Sequence, residues 1–288
     1  MKTPHEAMRI FVIGSCRVHR PVASLDSGVA SYLTGGAGMY THTLKEAIQR
    51  LELLRGNDKV PPSLARFVYA SAAGPMWAPR MMDDLHSSDV LVVEVSSEKE
   101  VQVDGVYLQL NYLASALIAP LGEAGRKWWS QLLRRGIPTS DVIAEVLTSP
   151  AAVDLDEGAK LVLDGATLQR STEISLREDI RRLVELADRP VMLVTHVDLG
   201  QLEPGVLAGR SRFVARLKRA AESIPRVSIF DPTPVIAAFG RPFALNDGGR
   251  DTNHYADMFE PILGRLLVAR ADSLFMTSPR GVPAEIAE

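Results

Sequence analysis

Short, unbroken apolar runs recur along the chain and predict the strands of a sheet. The clearest runs cover residues 9–13, 89–97, 190–196 and 227–232. Their lengths and their glycine, proline or polar boundaries are typical of strands. Continuous apolar runs indicate strands that are buried on both faces, as in parallel sheets. A weaker run at residues 66–70 predicts one further strand.

Between these runs, the apolar residues recur at helical spacing. Residues 43–54 place Leu44, Ala47, Ile48 and Leu51 on one face, and Gly56 follows as a helix stop. Strands that alternate with helices argue for an α/β fold, with a doubly wound parallel sheet of about five strands. Further helices are predicted over residues 75–85, 123–135, 140–147, 156–163, 173–187, 210–223 and 258–269. The helix at 210–223 has a basic face, which we expect to be solvated rather than to bind a phosphate.

The middle of the chain departs from this alternation. Residues 101–110 are broken by Asp104-Gly105 and predict a β-hairpin, and the segment that follows is mostly helical. We therefore expect one domain over residues 1–276 with a mostly helical insertion at about 101–169, placed to cap a site. Residues 277–288 are rich in proline, alanine and glutamate, which predicts a flexible tail.

Composition narrows the class of protein. The chain has 288 residues, of which 46% are hydrophobic, so it is long enough to bury a sizeable core. A net charge of −3 gives no basic field for nucleic acid. The single cysteine excludes an internal disulfide and fits a reducing compartment. No apolar run is long enough to span a bilayer, and no signal-peptide core precedes the first strand, so we expect a soluble, cytoplasmic protein.

The candidate chemistry lies at the two ends of the chain. The first strand runs into Gly14-Ser15-Cys16, at the carboxyl edge where open α/β sheets bind ligands. A thiol there is placed like a nucleophile, although a free cysteine is also commonly a small buried hydrophobe. Near the other end, Asp251 and His254 are separated by two residues in an expected loop just before the final helix, so that the carboxylate can orient the histidine toward a nucleophile.

These two blocks together resemble the SGNH/GDSL hydrolase superfamily, with cysteine in the position of the serine. The cysteine variant is most similar to GSCFA-domain proteins and to WcbI-type polysaccharide-biosynthesis proteins. The resemblance implies an SGNH/flavodoxin-like fold and a triad of nucleophile Cys16, base His254 and orienting Asp251. A histidine next to the thiol is expected to lower the thiol pKa. Ser15 is the rival nucleophile, although it matches the aspartate of the family motif.

The remaining site residues are predicted around this triad. The strand that corresponds to the family's G-x-N-D block ends Glu94-Val95-Ser96-Ser97 and has no asparagine, so serine hydroxyls are alternative oxyanion donors. Arg17, beside His19 and Arg20, either binds a phosphate or carboxylate or belongs to a solvated loop. His196 either lines the cleft or is a structural histidine. The candidates for oxyanion and substrate contacts are Gly14, Ser15, Arg17, Gly36, Ser96, Ser97 and His196, with Gly35 and Gly38 as equal alternatives to Gly36 for the glycine of the family's second block.

Acyl transfer is the function that these residues favour. Cys16 would attack an ester or thioester and pass the acyl group to a hydroxyl, an amine or water. Resemblance to the WcbI-type proteins implies an acyl-CoA donor and a saccharide acceptor, with acyl carrier protein as an alternative donor. A non-catalytic binding module for a carbohydrate or a CoA-like ligand is the alternative. No glycine-rich nucleotide motif follows a strand, and no metal-ligand spacing is present, so neither a bound cofactor nor a metal is expected.

Overall fold

The computed structural model describes residues 7–34, 40–57, 59–70, 81–202 and 208–278. The strands are β1 (Met8–Ile13), β2 (Ala30–Thr34), β3 (Val90–Val95), β4 (Lys99–Val103), β5 (Val106–Leu108), β6 (Thr167–Arg170), β7 (Val191–Thr195), β8 (Val227–Phe230), β9 (Leu245–Asn246) and β10 (Asp251–Tyr255).

Helices connect most of these strands, and none in the described ranges is long and apolar enough to cross a membrane. They are α1 (Cys16–Ala23), α2 (Leu44–Leu54), α3 (Ala65–Tyr69), α4 (Met81–Ser87), α5 (Leu110–Leu113), α6 (Gly122–Arg135), α7 (Ser140–Leu147), α8 (Glu157–Gly165), α9 (Glu173–Ala187), α10 (Leu199–Leu202), α11 (Ala208–Ala221), α12 (Thr233–Phe239), α13 (Arg241–Ala244) and α14 (Glu260–Thr277).

The central sheet has five parallel strands in the order β2-β1-β3-β7-β8. The four clearest apolar runs of the sequence form β1, β3, β7 and β8, which confirms the predicted α/β fold with a parallel sheet of about five strands. Register pairs Ile13 with Val93, and Val95 with Thr195. Because these strands run in parallel, the carboxyl ends of β1, β3 and β7 meet at one edge of the sheet.

Helices cover both faces of this sheet, because alternate residues of each buried strand point to opposite sides. Phe11 and Ile13 of β1 pack in one core with α2, α4, α9 and α11. Ile10 and Val12 pack in a second core with α1 and α14. The helix that connects β1 to β2 therefore lies on one face of the sheet, and α2 and α4, which lie between β2 and β3 in the chain, pack on the other face. This is the doubly wound arrangement that the sequence predicted.

A second, three-stranded sheet with the order β5-β4-β6 lies in the region predicted as the insertion. The hairpin of β4 and β5 turns at Asp104-Gly105, both with positive φ, as the sequence indicated. This sheet packs in a third core with α3 and α5 to α8. Trp128 is fully buried there and donates its indole N–H to the carbonyl of Leu163 at 3.0 Å.

Two local predictions were wrong. Residues 66–70 were expected to form a strand, but the segment forms α3, which follows directly on a 3₁₀ turn at Pro62–Leu64. A short apolar run fits a buried helix as well as a strand, and Phe67 and Val68 are buried in this helix. The expected loop at Asp251 is the short strand β10, paired with β9.

The edge strand β2 was not predicted, since Ser31 and Thr34 interrupt its apolar pattern. The predicted helix over residues 75–85 is seen only from Met81, within α4. Gly35, Gly36, Gly38 and the tail residues 279–288 lie outside the described ranges.

A close crossing of α1 and α14 brings the two ends of the chain together. A Cβ added at Gly264 would lie 2.1 Å from the carbonyl oxygen of Pro21, so the two helix backbones are in contact. Arg20 of α1 forms ion pairs with Asp257 at 2.8 Å and with Glu260 at 2.9 Å. These contacts hold β10, just before Asp257, beside the amino end of α1.

Candidate active site

A cavity of about 420 Å³ opens at the carboxyl edge of the central sheet. It lies where β2 and β3 flank β1 on opposite sides, which is the switch point at which open α/β sheets bind ligands. A larger groove of about 720 Å³ lies along α7 and α8 and carries none of the predicted site residues. The smaller cavity is lined by Ser15, Cys16, Arg17, Tyr40, His42, Ser96, Ser97, Lys99, Leu110, Asn111, His196, Arg210, Asn253 and His254.

Cys16 is the first residue of α1, and its side chain is half-buried. The first N–H groups of a helix have no partner within the helix, and among the described residues nothing accepts a hydrogen bond from the Cys16 N–H. Ser15 is buried, and its hydroxyl oxygen caps the helix by accepting the N–H of Arg17 at 3.3 Å. This capping role argues against Ser15 as the nucleophile and leaves the Cys16 N–H as a donor for an oxyanion.

Glu94, inside β3, holds the turn that presents Cys16. One carboxylate oxygen accepts the N–H of Ser15 at 2.7 Å, and the other forms a buried ion pair with Arg17. Burial alone raises the pKa of Glu94, but the charge of Arg17 and the hydrogen bonds from Ser15 outweigh it and bring the pKa to about 2. Ser15 was predicted among the oxyanion and substrate contacts, and its N–H is already hydrogen-bonded to Glu94. The signal for Glu94 in the sequence was a charged residue inside an apolar run.

Gly14 was predicted to contact the substrate, but it does not line the cavity and instead packs against Glu94. A Cβ at this position would lie 2.6 Å from the Glu94 Cβ, which requires a shift of β1 or β3. We expect Gly14→Ala to lower the free energy of unfolding by about 1–3 kcal/mol, the usual cost of overpacking. Urea denaturation measures this. Gly28→Ala is the control, because an added Cβ there meets nothing within 4 Å, and an equal loss in both variants would contradict the explanation.

The thiol of Cys16 is not activated in the structure. Burial raises the pKa of Cys16, Glu94 raises it further, and Arg17 only partly opposes them. The expected lowering by a neighbouring histidine is not observed, since no hydrogen bond joins the Cys16 thiol to a histidine anywhere in the described part of the chain. Near neutral pH, Cys16 therefore carries its proton until a base removes it.

Asp251 and His254 form the predicted pair. Nδ1 of His254 lies 2.7 Å from an Asp251 carboxylate oxygen, and the other oxygen of Asp251 accepts the Asn253 N–H at 2.9 Å. These hydrogen bonds lower the pKa of Asp251 and keep it ionised. His254 lines the same cavity as Cys16. Because Nδ1 of His254 is hydrogen-bonded to Asp251, Nε2 is the ring nitrogen that can exchange a proton.

Two further histidines line the cavity, and both are neutral near pH 7. His42 is hydrogen-bonded at 2.8 Å between Nδ1 and the Ser96 hydroxyl, and its carbonyl accepts the N–H groups of Ser96 and Ser97. His196 is buried and donates from Nδ1 to the Val197 carbonyl at 3.1 Å. Removal from water lowers the pKa of both rings, and the effect is larger for His196. The N–H groups of both serines are thus engaged and the Ser96 hydroxyl is bound to His42, so the Ser97 hydroxyl is the candidate oxyanion donor that remains.

The basic residues after Cys16 are engaged within the protein. Arg17 is 8% exposed, which excludes the solvated-loop interpretation for it, and it meets the cavity while paired with Glu94. His19 forms a hydrogen bond with the hydroxyl of Tyr32. Arg20 is bound to Asp257 and Glu260 at the start of α14. Of the three, only Arg17 lines the cavity.

Several lining residues were missed by the sequence analysis. Arg210 was expected on a solvated helix face, but it lies in the first turn of α11 and lines the cavity. Asn111 and Tyr40 come from distant segments and are joined by a hydrogen bond of 3.0 Å. Asn253, between the predicted Asp251 and His254, also lines the cavity. Within the described ranges, no three His, Cys, Asp or Glu side chains are arranged to hold a metal ion.

Comparison with known proteins gives two matches. The sequence model of a family described as the TviD N-terminal domain matches residues 8–270. The chain is also 27% identical over 256 residues to the Vi polysaccharide biosynthesis protein TviD of Salmonella typhi. That match covers 86% of this chain but only 29% of the relative, so the chain spans less than a third of the relative's length.

Proposed function

The chain belongs to the TviD N-terminal domain family, and from this membership and the cavity around Cys16 we propose that it is an acyltransferase of polysaccharide biosynthesis. The observation that carries the proposal is the placement of one free thiol at the start of α1, in the same cavity as the hydrogen-bonded pair Asp251–His254. The SGNH-type triad is part of the proposal.

The reaction follows from these groups in two steps. Cys16 attacks the carbonyl carbon of an ester or thioester donor, while Nε2 of His254 takes the thiol proton and returns it to the departing alcohol or thiol. This leaves an acyl-cysteine. An acceptor hydroxyl then attacks the acyl-cysteine, gives its proton to His254, and releases the Cys16 thiol. Asp251 stabilises the imidazolium in both steps and keeps its ring oriented.

The first N–H of α1 supports the same reaction. The Cys16 N–H is adjacent to the reacting sulfur and has no partner among the described residues, so it is available to stabilise the oxyanion. One such donor typically contributes about 3 kcal/mol to transition-state stabilisation. A raised thiol pKa is consistent with this scheme, because the proton then leaves together with substrate attack rather than beforehand.

The donor and the acceptor are proposed from chemistry. A thioester intermediate is readily attacked by hydroxyl groups, which suits transfer to a sugar, and the relative is described as a polysaccharide biosynthesis protein. We propose an acyl-CoA or acyl carrier protein as the donor and a saccharide hydroxyl as the acceptor. Hydrolysis is the same reaction with water as the acceptor.

A binding module without turnover is the second candidate. The observation in its favour is that, within the described residues, Cys16 and His254 share no hydrogen bond although both line the cavity. Hydrogen bonds between catalytic groups often tighten only when substrate is bound, so this geometry is compatible with both functions. A covalent intermediate separates them.

Intact-protein mass spectrometry tests the proposal. The protein is incubated briefly with acetyl-CoA or with p-nitrophenyl acetate, beside the Cys16→Ala and Ser15→Ala variants. We expect a gain of one acetyl group in the wild type and in Ser15→Ala, and none in Cys16→Ala. An adduct that survives in Cys16→Ala would show that the nucleophile is misassigned. Absence of any adduct and of turnover would favour the binding module.

A further inference from the structure

The cavity around Cys16 is lined by positively charged side chains without a negatively charged one among the described residues. Among the described residues that line it, three are cations, Arg17, Lys99 and Arg210, and none is an aspartate or glutamate. Arg17 is neutralised by its buried pair with Glu94. Arg210 and Lys99 form no ion pair with any described residue.

Arg210 is positioned rather than free in solvent. Its Nη1 donates a hydrogen bond to the carbonyl of Val197 at 3.2 Å, which ties the guanidinium to the segment that follows β7. A guanidinium carries five N–H donors, so most remain for a ligand. Asp198 is the nearby carboxylate, and its charge acts on Arg210, but one of its oxygens accepts the Ser211 hydroxyl at 2.6 Å and the Gly200 N–H at 3.1 Å.

The positive charges of Arg17 and Arg210 act on the neighbouring His196. Burial is the main cause of the lowered pKa of His196, and Arg17 and Arg210 lower it further. A positive potential therefore reaches the cavity wall beside Cys16. Unpaired, half-buried cations are costly to keep without a counter-ion, and a guanidinium fork matches the paired oxygens of a carboxylate or a phosphate.

We propose that Arg210, assisted by Lys99, forms a subsite for an anionic oxygen group on the molecule that reacts at Cys16. The subsite selects a substrate that bears a carboxylate or a phosphate. The anion subsite itself is inferred from the cavity, and only the role of the bound molecule as acyl donor or acceptor rests on the proposed function. A phosphate belongs to a nucleotide-type thioester donor, and a carboxylate belongs to an acidic sugar acceptor.

Alkylation of the single cysteine tests the subsite without any acyl transfer. Iodoacetate is an anion and iodoacetamide is neutral, and both attack the same thiolate. The ratio of their rates at Cys16 therefore cancels changes in thiolate population and reports the local potential. We expect Arg210→Gln to lower the iodoacetate-to-iodoacetamide ratio about fivefold, the effect of removing one partly screened charge. Lys99→Gln should lower it less.

Matched variants keep the test decisive. Arg212→Gln removes the same charge from the exposed side of the same helix and should leave the ratio unchanged. Arg210→Lys keeps the charge and should retain most of the ratio. If Arg210→Gln fails to fold, the wild-type ratio must still fall as salt is raised. Equal ratios in Arg210→Gln and Arg212→Gln, or a wild-type ratio that does not depend on salt, overturn the proposal.

Competition then identifies the anion. Slower iodoacetate modification in the presence of inorganic diphosphate indicates a phosphate subsite, whereas slowing by glucuronate indicates a carboxylate subsite. Protection by neither reagent overturns the proposal. The acetyl-adduct experiment with neutral p-nitrophenyl acetate is independent of this result, so a failed subsite and a failed nucleophile are distinguishable.

Discussion

His254→Gln is expected to lower the rate of acyl transfer to an acceptor about 100- to 10,000-fold, the usual contribution of a general base. Cys16 keeps its proton near neutral pH because burial raises its pKa, so a base must act during the attack. His254 is the cavity histidine that is oriented by a carboxylate, at 2.7 Å from Asp251. Initial rates of transfer from an acyl donor, measured with saturating acceptor, give the effect.

The other histidines provide the controls. His86 is exposed on α4, away from the cavity, so His86→Gln should retain full activity. Alkylation of Cys16 by iodoacetamide should be the same in His254→Gln and in the wild type, because no hydrogen bond links the two side chains in the described structure. A larger loss of transfer in His42→Gln or His196→Gln than in His254→Gln would mean that the base is misassigned.

Glu94→Gln is expected to lower the free energy of unfolding by about 3–5 kcal/mol, the typical cost of removing one partner of a buried ion pair. The substitution keeps the shape of the side chain and an oxygen that can accept the Ser15 N–H. It leaves the Arg17 guanidinium, only 8% exposed, without a counter-charge. Denaturation by urea, followed by far-ultraviolet circular dichroism, measures the loss.

A surface pair and a pH series isolate the contribution of the buried charge. Glu145 pairs with Lys127, and both are about half exposed, so Glu145→Gln should cost less than about 1 kcal/mol. The pKa of Glu94 is depressed to about 2, so its contribution is complete above the unfolded pKa of about 4.3 and is lost as pH falls through the folded pKa. The gap between wild type and Glu94→Gln should therefore narrow from about pH 4 to pH 2. A constant gap would exclude the ion pair as its source.

Much of the fold could be predicted from the sequence because its central strands are buried on both faces. Continuous apolar runs that are short and bounded by turns usually form buried strands, so the central strands β1, β3 and β7 were correctly identified. The run at residues 227–232 was also correctly identified, although β8 is an edge strand with alternating burial. The edge strand β2 lacks this pattern, since an edge position tolerates polar residues. At residues 66–70 an apolar run was predicted as a strand but forms a helix. Burial of Phe67 and Val68 in the third core, rather than the local pattern, determines this outcome.

The site was predictable only where a local motif marks it. Cys16 was indicated by its place after β1, and Asp251 and His254 by their spacing, which the observed hydrogen bond explains. Glu94 and Arg210 carry no such motif. Their roles depend on which strand lies next to β1 and on where α11 begins relative to β7, and both are properties of the assembled sheet.

The crossing of α1 and α14 also determines when during folding the site comes into being. Cys16 and His254 belong to opposite ends of the described chain, and they share a cavity only after Gly264 has docked on the Pro21 carbonyl. Contacts between residues so far apart in sequence form slowly, since their loop-closure entropy must be overcome first. Under the proposed mechanism, a partly folded chain thus carries the thiol without its base, and only molecules whose two ends are already joined would react with an acyl donor.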